Sequence, residues 1–214
     1  MSVPVVLLTG ASGFVGGHMS AAAPCVALVD SDGVEVDVRS RDRVLKALAK
    51  LRFDAVVHLA AQPSVTASFE DPETTYSVNF LGTFNLLWSL KQMGFTGRLL
   101  YVGTSEEYGE VDETCLPVSE RQPLRPRSPY AVSKVAAEAL CYQWSQMTTP
   151  VTMLPEKAIV QAMVHVDDGL GQPRDQRRMV RDNMKLRKAT GWKPSIPVQQ
   201  TLDDVVRDWE GRVT

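Results

Sequence analysis

Short apolar runs alternate with longer stretches of helical periodicity through the first 147 residues of the chain. Apolar residues that recur every three to four positions indicate helices, and short β-branched runs bounded by glycine or polar residues indicate buried strands. The predicted strands cover residues 3–9, 26–29, 34–38, 54–60 and 98–103. The predicted helices cover residues 14–22, 41–51, 76–93 and 133–146. This alternation predicts a doubly wound α/β fold, in which helices cover both faces of a parallel sheet.

The order of elements weakens after about residue 147. The elements predicted there are a strand at 150–154 and helices at 156–166, 183–190 and 201–209. A charged, glycine-containing stretch runs to residue 181. Gly191 ends the helix predicted at 183–190. We therefore predict two parts, an α/β domain at residues 1–150 and a residual C-terminal segment at residues 151–214.

Composition narrows the class of protein. The 214 residues carry a formal net charge of −2, which gives no general case for binding nucleic acid or an anionic membrane. No apolar run approaches the length of about 20 residues that a membrane-spanning helix requires, and the first residues lack the features of a signal peptide. Cys25, Cys115 and Cys141 lie far apart, without the spacing of a metal site. We expect reduced thiols, no metal and a cytoplasmic location.

A glycine-rich turn follows the first predicted strand directly and opens the first predicted helix, with the sequence Gly10-Ala-Ser-Gly13-Phe-Val-Gly16. Gly10 permits a tight turn, Gly13 lets the backbone approach a pyrophosphate, and Gly16 lets the helix pack on the sheet. The helix N-terminus supplies free N–H groups for phosphate oxygens. This context favours a dinucleotide site over a plain glycine-rich turn.

Four further residues suggest acid–base chemistry. Tyr130 and Lys134 are four positions apart on a predicted helix, so they project from the same face, although a solvated pair is the usual explanation for such spacing. A neighbouring ammonium predicts a lowered pKa for the Tyr130 phenol and a competent proton donor. Thr104 ends a predicted strand, where its hydroxyl either caps the strand or orients a reacting oxygen. Glu106 follows in the same loop and is either an acid–base group or a solvated carboxylate.

Taken in order, these features resemble the extended short-chain dehydrogenase/reductase family, which has a Rossmann-like fold. Within it the chain resembles the GDP-4-keto-6-deoxy-D-mannose reductases and the GDP-mannose 4,6-dehydratases. The stretches that carry the resemblance are His58-Leu-Ala-Ala-Gln-Pro-Ser-Val65, Val78-Asn-Phe-Leu-Gly-Thr83, Thr104-Ser-Glu-Glu-Tyr-Gly109, residues 123–134 and residues 186–194.

The resemblance implies a role for each matching position. Thr104, Tyr130 and Lys134 match the catalytic triad, and Glu106 matches the glutamate with which the dehydratases eliminate water. The positions implied to hold NAD or NADP are Gly10, Gly13, Phe14, Val15, Gly16, Asp37, Ala60, Ala61, Asn79, Tyr130 and Lys134. Among them, Asp37 would contact the adenine, and Asn79 would support the lysine side of the site.

The chain departs from the family between Gly10 and Asp37, where it is unusually short. Asp30, at the end of the second predicted strand, is a candidate acceptor for the adenosine ribose hydroxyls and would favour NAD over NADP. Asp32 competes for that role, and either carboxylate would also fit the Asp30-Ser-Asp-Gly turn itself.

A second departure follows residue 154. The family continues with a substrate lobe of roughly a hundred residues, most of which has no visible counterpart here, so we predict a truncated C-terminal substrate lobe. A basic cluster within residues 174–188 is either a solvated helical face, a contact for the diphosphate of a sugar nucleotide, or a nucleic-acid surface. A solvated helical face is favoured, and the nucleic-acid surface is the least favoured because no aromatic residues are interleaved with the charge.

Three functions remain open. The leading one is an NAD(P)-dependent oxidoreductase that reduces a GDP-4-keto-6-deoxyhexose at C4. The alternatives are a GDP-mannose 4,6-dehydratase, and a dinucleotide-binding protein without turnover because its substrate lobe is shortened. The expected partners are a GDP-linked nucleotide sugar and, in a homodimer, a second copy of the chain, but neither nucleic acid nor a membrane. The sequence leaves open NAD against NADP, the nucleotide base and the sugar.

Overall fold

The computed structural model describes residues 3–146, 152–153 and 182–213. The chain divides into two compact units. The described residues of the first unit are 3–109, 124–146 and 152–153, and those of the second are 110–123 and 182–213. The predicted boundary at residue 150 stays a prediction. The predicted helix at 156–166, the charged stretch to 181 and most of the basic cluster lie outside the described residues.

A five-stranded parallel sheet forms the centre of the first unit. Its strands are β1 (Val6–Thr9), β2 (Cys25–Ala27), β3 (Ala55–His58), β4 (Arg98–Tyr101) and β5 (Thr152–Met153). They lie side by side in the order β2-β1-β3-β4-β5. The chain passes from β1 to β2 on one side of it and then crosses to β3 on the other side, so the strand order reverses at β1. The carboxyl ends of strands at such a reversal border a crevice where these sheets bind ligands. The predicted Rossmann-like fold is confirmed.

Helices flank this sheet. Those of the first unit are α1 (Phe14–Ala22), α2 (Arg41–Leu48), α3 (Val65–Glu70), α4 (Pro72–Tyr76), α5 (Gly82–Gln92) and α6 (Pro129–Ser145). A π-helical segment at Ser77–Leu81 joins α4 to α5, and a 3-10 turn spans Ser105–Tyr108. The second unit contains α7 (Met184–Thr190), α8 (Val198–Val213) and a short 3-10 turn, Glu113–Cys115. Of the described helices, none combines the length and the apolar character needed to cross a membrane.

The core explains why these segments fold as they do. Leu7, Val56 and Leu99 occupy equivalent places on β1, β3 and β4 and are almost completely buried. The apolar faces of the flanking helices close over them, including Leu48 of α2 and Leu90 of α5. Burying each such side chain stabilises the fold by about 1.5–3 kcal/mol.

One predicted strand, at residues 34–38, does not form. After β2 the chain turns at Gly33, whose φ is 78°, and returns antiparallel with a single bridge between Val29 and Glu35. The sequence pattern is still meaningful, because Val36 and Val38 are buried in the core. Burial of alternate valines thus produced a strand-like pattern without a strand in the sheet.

The helix predicted at residues 76–93 begins earlier and is not uniform. Asp71 caps its start by accepting a hydrogen bond from the N–H of Thr74 at 2.9 Å, and the chain then passes from α4 through the π-helical segment into α5. The predicted end is confirmed, since Gly94 adopts a φ of 66° just beyond α5. The π-helical segment matters because it carries Asn79.

Helix α6 also begins earlier than residue 133. Ser128 caps it by accepting a hydrogen bond from the N–H of Ala131 at 3.0 Å, and Pro129 occupies the first turn. A serine followed by proline is a helix start, because the hydroxyl binds a free N–H and proline needs no N–H partner there. This earlier start places Tyr130 in the first turn of the helix.

Candidate active site

The glycine-rich loop after β1 forms one wall of a crevice of about 690 Å³. Gly10 adopts a φ of 71°, and a Cβ there would lie 2.7 Å from the backbone nitrogen of Ala60. A Cβ on Gly16 would collide with the carbonyl oxygen of Gly10 and lie 2.7 Å from the Cα of Ala11. These glycines therefore allow β1, α1 and the loop after β3 to meet around a space whose volume suits a small-molecule or cofactor site.

Most of the residues predicted to hold a dinucleotide line this crevice. They are Gly10, Gly13, Phe14, Val15, Gly16, Asp37, Ala60 and Ala61. The predicted residues that are not part of the lining are Asp30, Asn79, Tyr130 and Lys134. Sequence reasoning missed Glu35, which is part of it.

Asp30 shapes a turn instead of facing the crevice. Its Oδ1 accepts hydrogen bonds from the N–H groups of Asp32 and Val34, at 3.0 and 3.1 Å, and its Oδ2 pairs with Arg43 at 2.8 Å. The hydrogen bond from Val34 is the main cause of a lowered pKa for the Asp30 carboxyl. The carboxylates that line the crevice are those of Glu35 and Asp37. The sequence signal that could have pointed to Glu35 is an acidic residue about 20 positions beyond the glycine-rich turn.

Thr104 and Tyr130 are brought together at the carboxyl end of β4. Thr104 follows that strand and caps the 3-10 turn, and its side chain is hydrogen-bonded to the phenol of Tyr130 at the start of α6. Burial raises the pKa of the Tyr130 phenol, the Thr104 hydrogen bond lowers it, and Glu107 and Glu106 raise it. The expected lowering of this pKa is wrong for the protein alone, because burial outweighs the hydrogen bond and Lys134 is not among the causes.

Lys134 lies one helical turn beyond Tyr130, but its ammonium is directed onto Tyr101. The Nζ atom is 4.4 Å from the centroid of the Tyr101 ring, whose hydroxyl donates to the Lys134 carbonyl oxygen at 3.2 Å. Burial lowers the pKa of Lys134 to about 8, and the nearby Glu107 carboxylate acts in the opposite direction. The ammonium is therefore mostly protonated at neutral pH, and a cation–π contact compensates part of its burial.

Asn79 contacts α6 rather than the crevice. Its side-chain nitrogen donates to the Ser133 hydroxyl at 2.9 Å and to the carbonyl oxygen of Gln62 at 3.1 Å, and its oxygen accepts from the Gln62 N–H at 2.8 Å. Ser133 in turn donates to the carbonyl oxygen of Tyr130 at 2.6 Å. Asn79 thus ties the π-helical segment to the first turn of α6 and fixes the backbone that carries Tyr130.

The buried His58 extends the hydrogen-bond network of Asn79 to Thr9, the last residue of β1 before the glycine-rich loop. The hydroxyl of Thr83 donates to the Asn79 carbonyl oxygen at 2.6 Å, so it accepts from Nε2–H of His58 at 3.0 Å. His58 Nδ1 then accepts from the Thr9 hydroxyl at 2.6 Å, and Thr9 accepts from the Ala60 N–H at 3.1 Å. Burial, with a smaller effect of Lys134, lowers the pKa of His58 to about 3. The ring is therefore neutral and structural.

This pKa predicts a specific loss of stability in acid. Between pH 6.5 and about 3 the unfolded chain protonates His58 and the folded chain does not, so the free energy of unfolding should fall with falling pH by about 1.4 kcal/mol per pH unit from this group. Denaturant titrations of wild type and His58→Gln between pH 7 and 5 measure this slope. The variant should show a shallower slope, whereas His18→Gln, at an exposed position, should keep the wild-type slope. Equal slopes for wild type and His58→Gln would contradict the assignment.

The two adjacent glutamates of the loop differ in burial. Glu106 is exposed, whereas Glu107 is buried and accepts a hydrogen bond from the Thr104 N–H at 3.1 Å. The Thr104 side chain caps the same turn by accepting from its backbone N–H groups. The two capping interactions together fix the start of the 3-10 turn and hence the position of Thr104. The pattern Thr-x-x-Glu was the sequence signal for it, and it was missed.

The fold and this crevice define a dinucleotide-binding α/β protein. The chain belongs to the NAD dependent epimerase/dehydratase family, whose family model matches residues 6–155. It is similar to GDP-6-deoxy-D-mannose reductase of Pseudomonas aeruginosa, with 28% identity over an alignment that covers 97% of this chain and 98% of that protein. The solved structure of RMD from Pseudomonas aeruginosa complexed with NADPH superposes with a TM-score of 0.76 at 28% identity and covers 98% of this chain and 99% of that chain.

A second relative matches a shorter part of the chain. GDP-mannose 4,6-dehydratase of Vibrio cholerae is 40% identical over 103 residues, which cover 47% of this chain and 27% of that protein. The alignment with the reductase is 300 positions long, although this chain has 214 residues, so part of the reductase has no counterpart here. This gap is consistent with the predicted internal shortening.

Proposed function

We propose that this chain is an NAD(P)-dependent oxidoreductase of nucleotide-sugar metabolism that reduces a GDP-4-keto-6-deoxyhexose at C4. The side chains of Thr104 and Tyr130, which are brought together at the carboxyl end of β4, are the observation that carries the proposal. The similarity to GDP-6-deoxy-D-mannose reductase along nearly the whole chain supports the same substrate class.

The proposed roles follow from the chemistry of each side chain. A dinucleotide held by the crevice residues would supply the hydride for C4. Tyr130 donates its phenolic proton to the C4 oxygen, so that the carbonyl becomes a hydroxyl, and Thr104 orients that oxygen by a hydrogen bond. A raised pKa keeps the Tyr130 proton in place until the oxygen acquires negative charge. Lys134 supplies a buried positive charge one helical turn beyond Tyr130, and its proposed role is to bind the ribose of the nicotinamide.

Two alternatives have observations in their favour. The identity of 40% to GDP-mannose 4,6-dehydratase, together with Glu106 near Tyr130, favours a lyase that eliminates water. Part of the reductase has no counterpart in this chain, and this favours a dinucleotide-binding protein that does not turn over a substrate. Incubation with GDP-mannose and with GDP-4-keto-6-deoxymannose separates the enzymes, because only the reductase consumes added NADH or NADPH. We also propose a cytoplasmic location and a homodimer.

Substitution of Gly13 tests the dinucleotide site itself. Gly13 has an extended backbone and an open surrounding, since a Cβ there would approach only the Gly10 carbonyl oxygen, at 3.3 Å. Gly13→Val should therefore fold but place a side chain in the crevice, and lower the affinity for NADH about tenfold or more by calorimetry. The control is Gly17→Val, at a position where a Cβ meets nothing within 4 Å. A folded Gly13→Val that binds NADH as tightly as wild type would refute the site.

A further inference from the structure

The carboxylate of Glu35 is held against the glycine-rich loop. Its Oε1 accepts a hydrogen bond from the backbone N–H of Ala11 at 2.8 Å. Its Oε2 accepts from the hydroxyl of Ser12 at 2.5 Å and from the N–H of Ser12 at 3.4 Å. Three donors therefore fix this carboxylate inside the crevice, between the loop and the chain that follows β2.

The position of Glu35 corresponds to the adenosine half of a dinucleotide. Strands β2 and β3 flank β1, so the chain after β2 and the loop after β3 form opposite sides of the crevice. The β3 side, with Ala60, leads towards β4 and hence towards Thr104 and Tyr130, where the nicotinamide must lie for the proposed reaction. The other side of the crevice, with Glu35, is therefore the side that would hold the adenosine. In folds of this kind an acidic residue about 20 positions beyond the glycine motif accepts the ribose hydroxyls, and Glu35 has that place.

The charges around this side disfavour a phosphate on the ribose. No lysine or arginine is among the described residues that line the crevice, whereas Glu35 and Asp37 both are. Two arginines that follow in this segment are paired with carboxylates, Arg39 with Asp37 at 2.6 Å and Arg43 with Asp30 at 2.8 Å. A 2′-phosphate would bring close to two negative charges against a fixed carboxylate without a cation to offset them.

We propose that Glu35 makes this chain selective for NAD over NADP, by accepting the hydroxyls of the adenosine ribose and repelling a 2′-phosphate. This inference rests on the proposed dinucleotide site. It sets the chain apart from the similar RMD structure, which is complexed with NADPH. It also reassigns the selectivity from Asp30, the candidate from the sequence, to a residue five positions later.

The test compares dissociation constants for NADH and NADPH by calorimetry at low salt, in wild type, Glu35→Gln and Glu35→Ser. Wild type should bind NADH at least about tenfold more tightly than NADPH, and both variants should reduce that ratio by about tenfold, mainly through tighter NADPH binding. Asp30→Asn is the matched control, because asparagine keeps an acceptor for the turn, and its ratio should equal that of wild type. Thermal melts confirm that each variant is folded.

Each outcome decides between the claims. A wild type that binds NADPH as tightly as NADH overturns the inference and leaves the proposed function intact. A wild type that selects NADH, with the same ratio in both folded variants, assigns the selectivity elsewhere and also overturns the inference. Binding of neither nucleotide refutes the proposed function, and the inference with it.

Discussion

The purified chain is expected to bind a nicotinamide dinucleotide normally but to turn over GDP-4-keto-6-deoxymannose many orders of magnitude more slowly than an ordinary enzyme. Correct positioning of a substrate against the reacting groups contributes about 7–11 kcal/mol to catalysis, or a factor of about 10⁵–10⁸ in rate. By the family resemblance, the positioning is done largely by the substrate lobe. The alignment with the reductase has 300 positions against 214 residues here, so part of the reductase has no counterpart in this chain.

The measurement is oxidation of NADH and NADPH with GDP-4-keto-6-deoxymannose, followed over long times with product identification. Tyr130→Phe is the control for any residual activity, since it removes the hydroxyl that is bonded to Thr104 and keeps the ring. It should reduce residual turnover by a further factor of about 10²–10⁴. A wild-type kcat of about 1 s⁻¹ or faster would show that the shortened chain still positions its substrate, and the prediction would fail.

Replacement of Gly16 by alanine should destabilise the protein by about 3 kcal/mol, the upper end of the cost of overpacking a core. Gly16 is buried, and its added Cβ would collide with the Gly10 carbonyl oxygen and approach Ala11 Cα to 2.7 Å. Both contacts are with backbone, which does not move aside as a flexible side chain would. For a chain of this length the melting temperature should fall by about 6–12 °C.

Gly17→Ala is the matched control, because it makes the same change one position later in α1. A Cβ on Gly17 meets nothing within 4 Å, and Gly17 is exposed. Alanine should stabilise this helix position by about 0.5–1 kcal/mol. The adjacent substitutions are therefore expected to shift the melting temperature in opposite directions. A Gly16→Ala variant that melts with or above wild type would contradict the close approach of α1 to the glycine-rich loop.

Features that depend on neighbouring residues were predictable from the sequence. The glycine-rich turn between β1 and α1 needs only a strand, three glycines and a helix in succession, and these are adjacent in the chain. The helix that carries Tyr130 and Lys134 likewise follows from local periodicity, although its capping by Ser128 was missed. The roles of the site residues stay predictions.

The failures share a physical cause, which is that they depend on partners distant in sequence. Asp30 had the expected place after β2, but whether it or Glu35 faces the crevice depends on the turn at Gly33 and on donors from Ala11, 24 positions before Glu35. Spacing put Lys134 beside Tyr130, but burial against Tyr101 decided where its ammonium points.

The sequence by itself determined the parallel α/β fold, the glycine-rich dinucleotide loop and the placement of Tyr130 and Lys134 on one helix, α6. These features are encoded locally, because periodicity and glycine positions set the backbone geometry of adjacent residues. Only the tertiary structure decided that Glu35 and not Asp30 lines the crevice, that the pKa of Tyr130 is raised, and that Glu107 rather than Glu106 is buried. Each of these depends on solvent exclusion and on hydrogen-bond donors supplied by other segments. Such quantities exist only once the chain has folded.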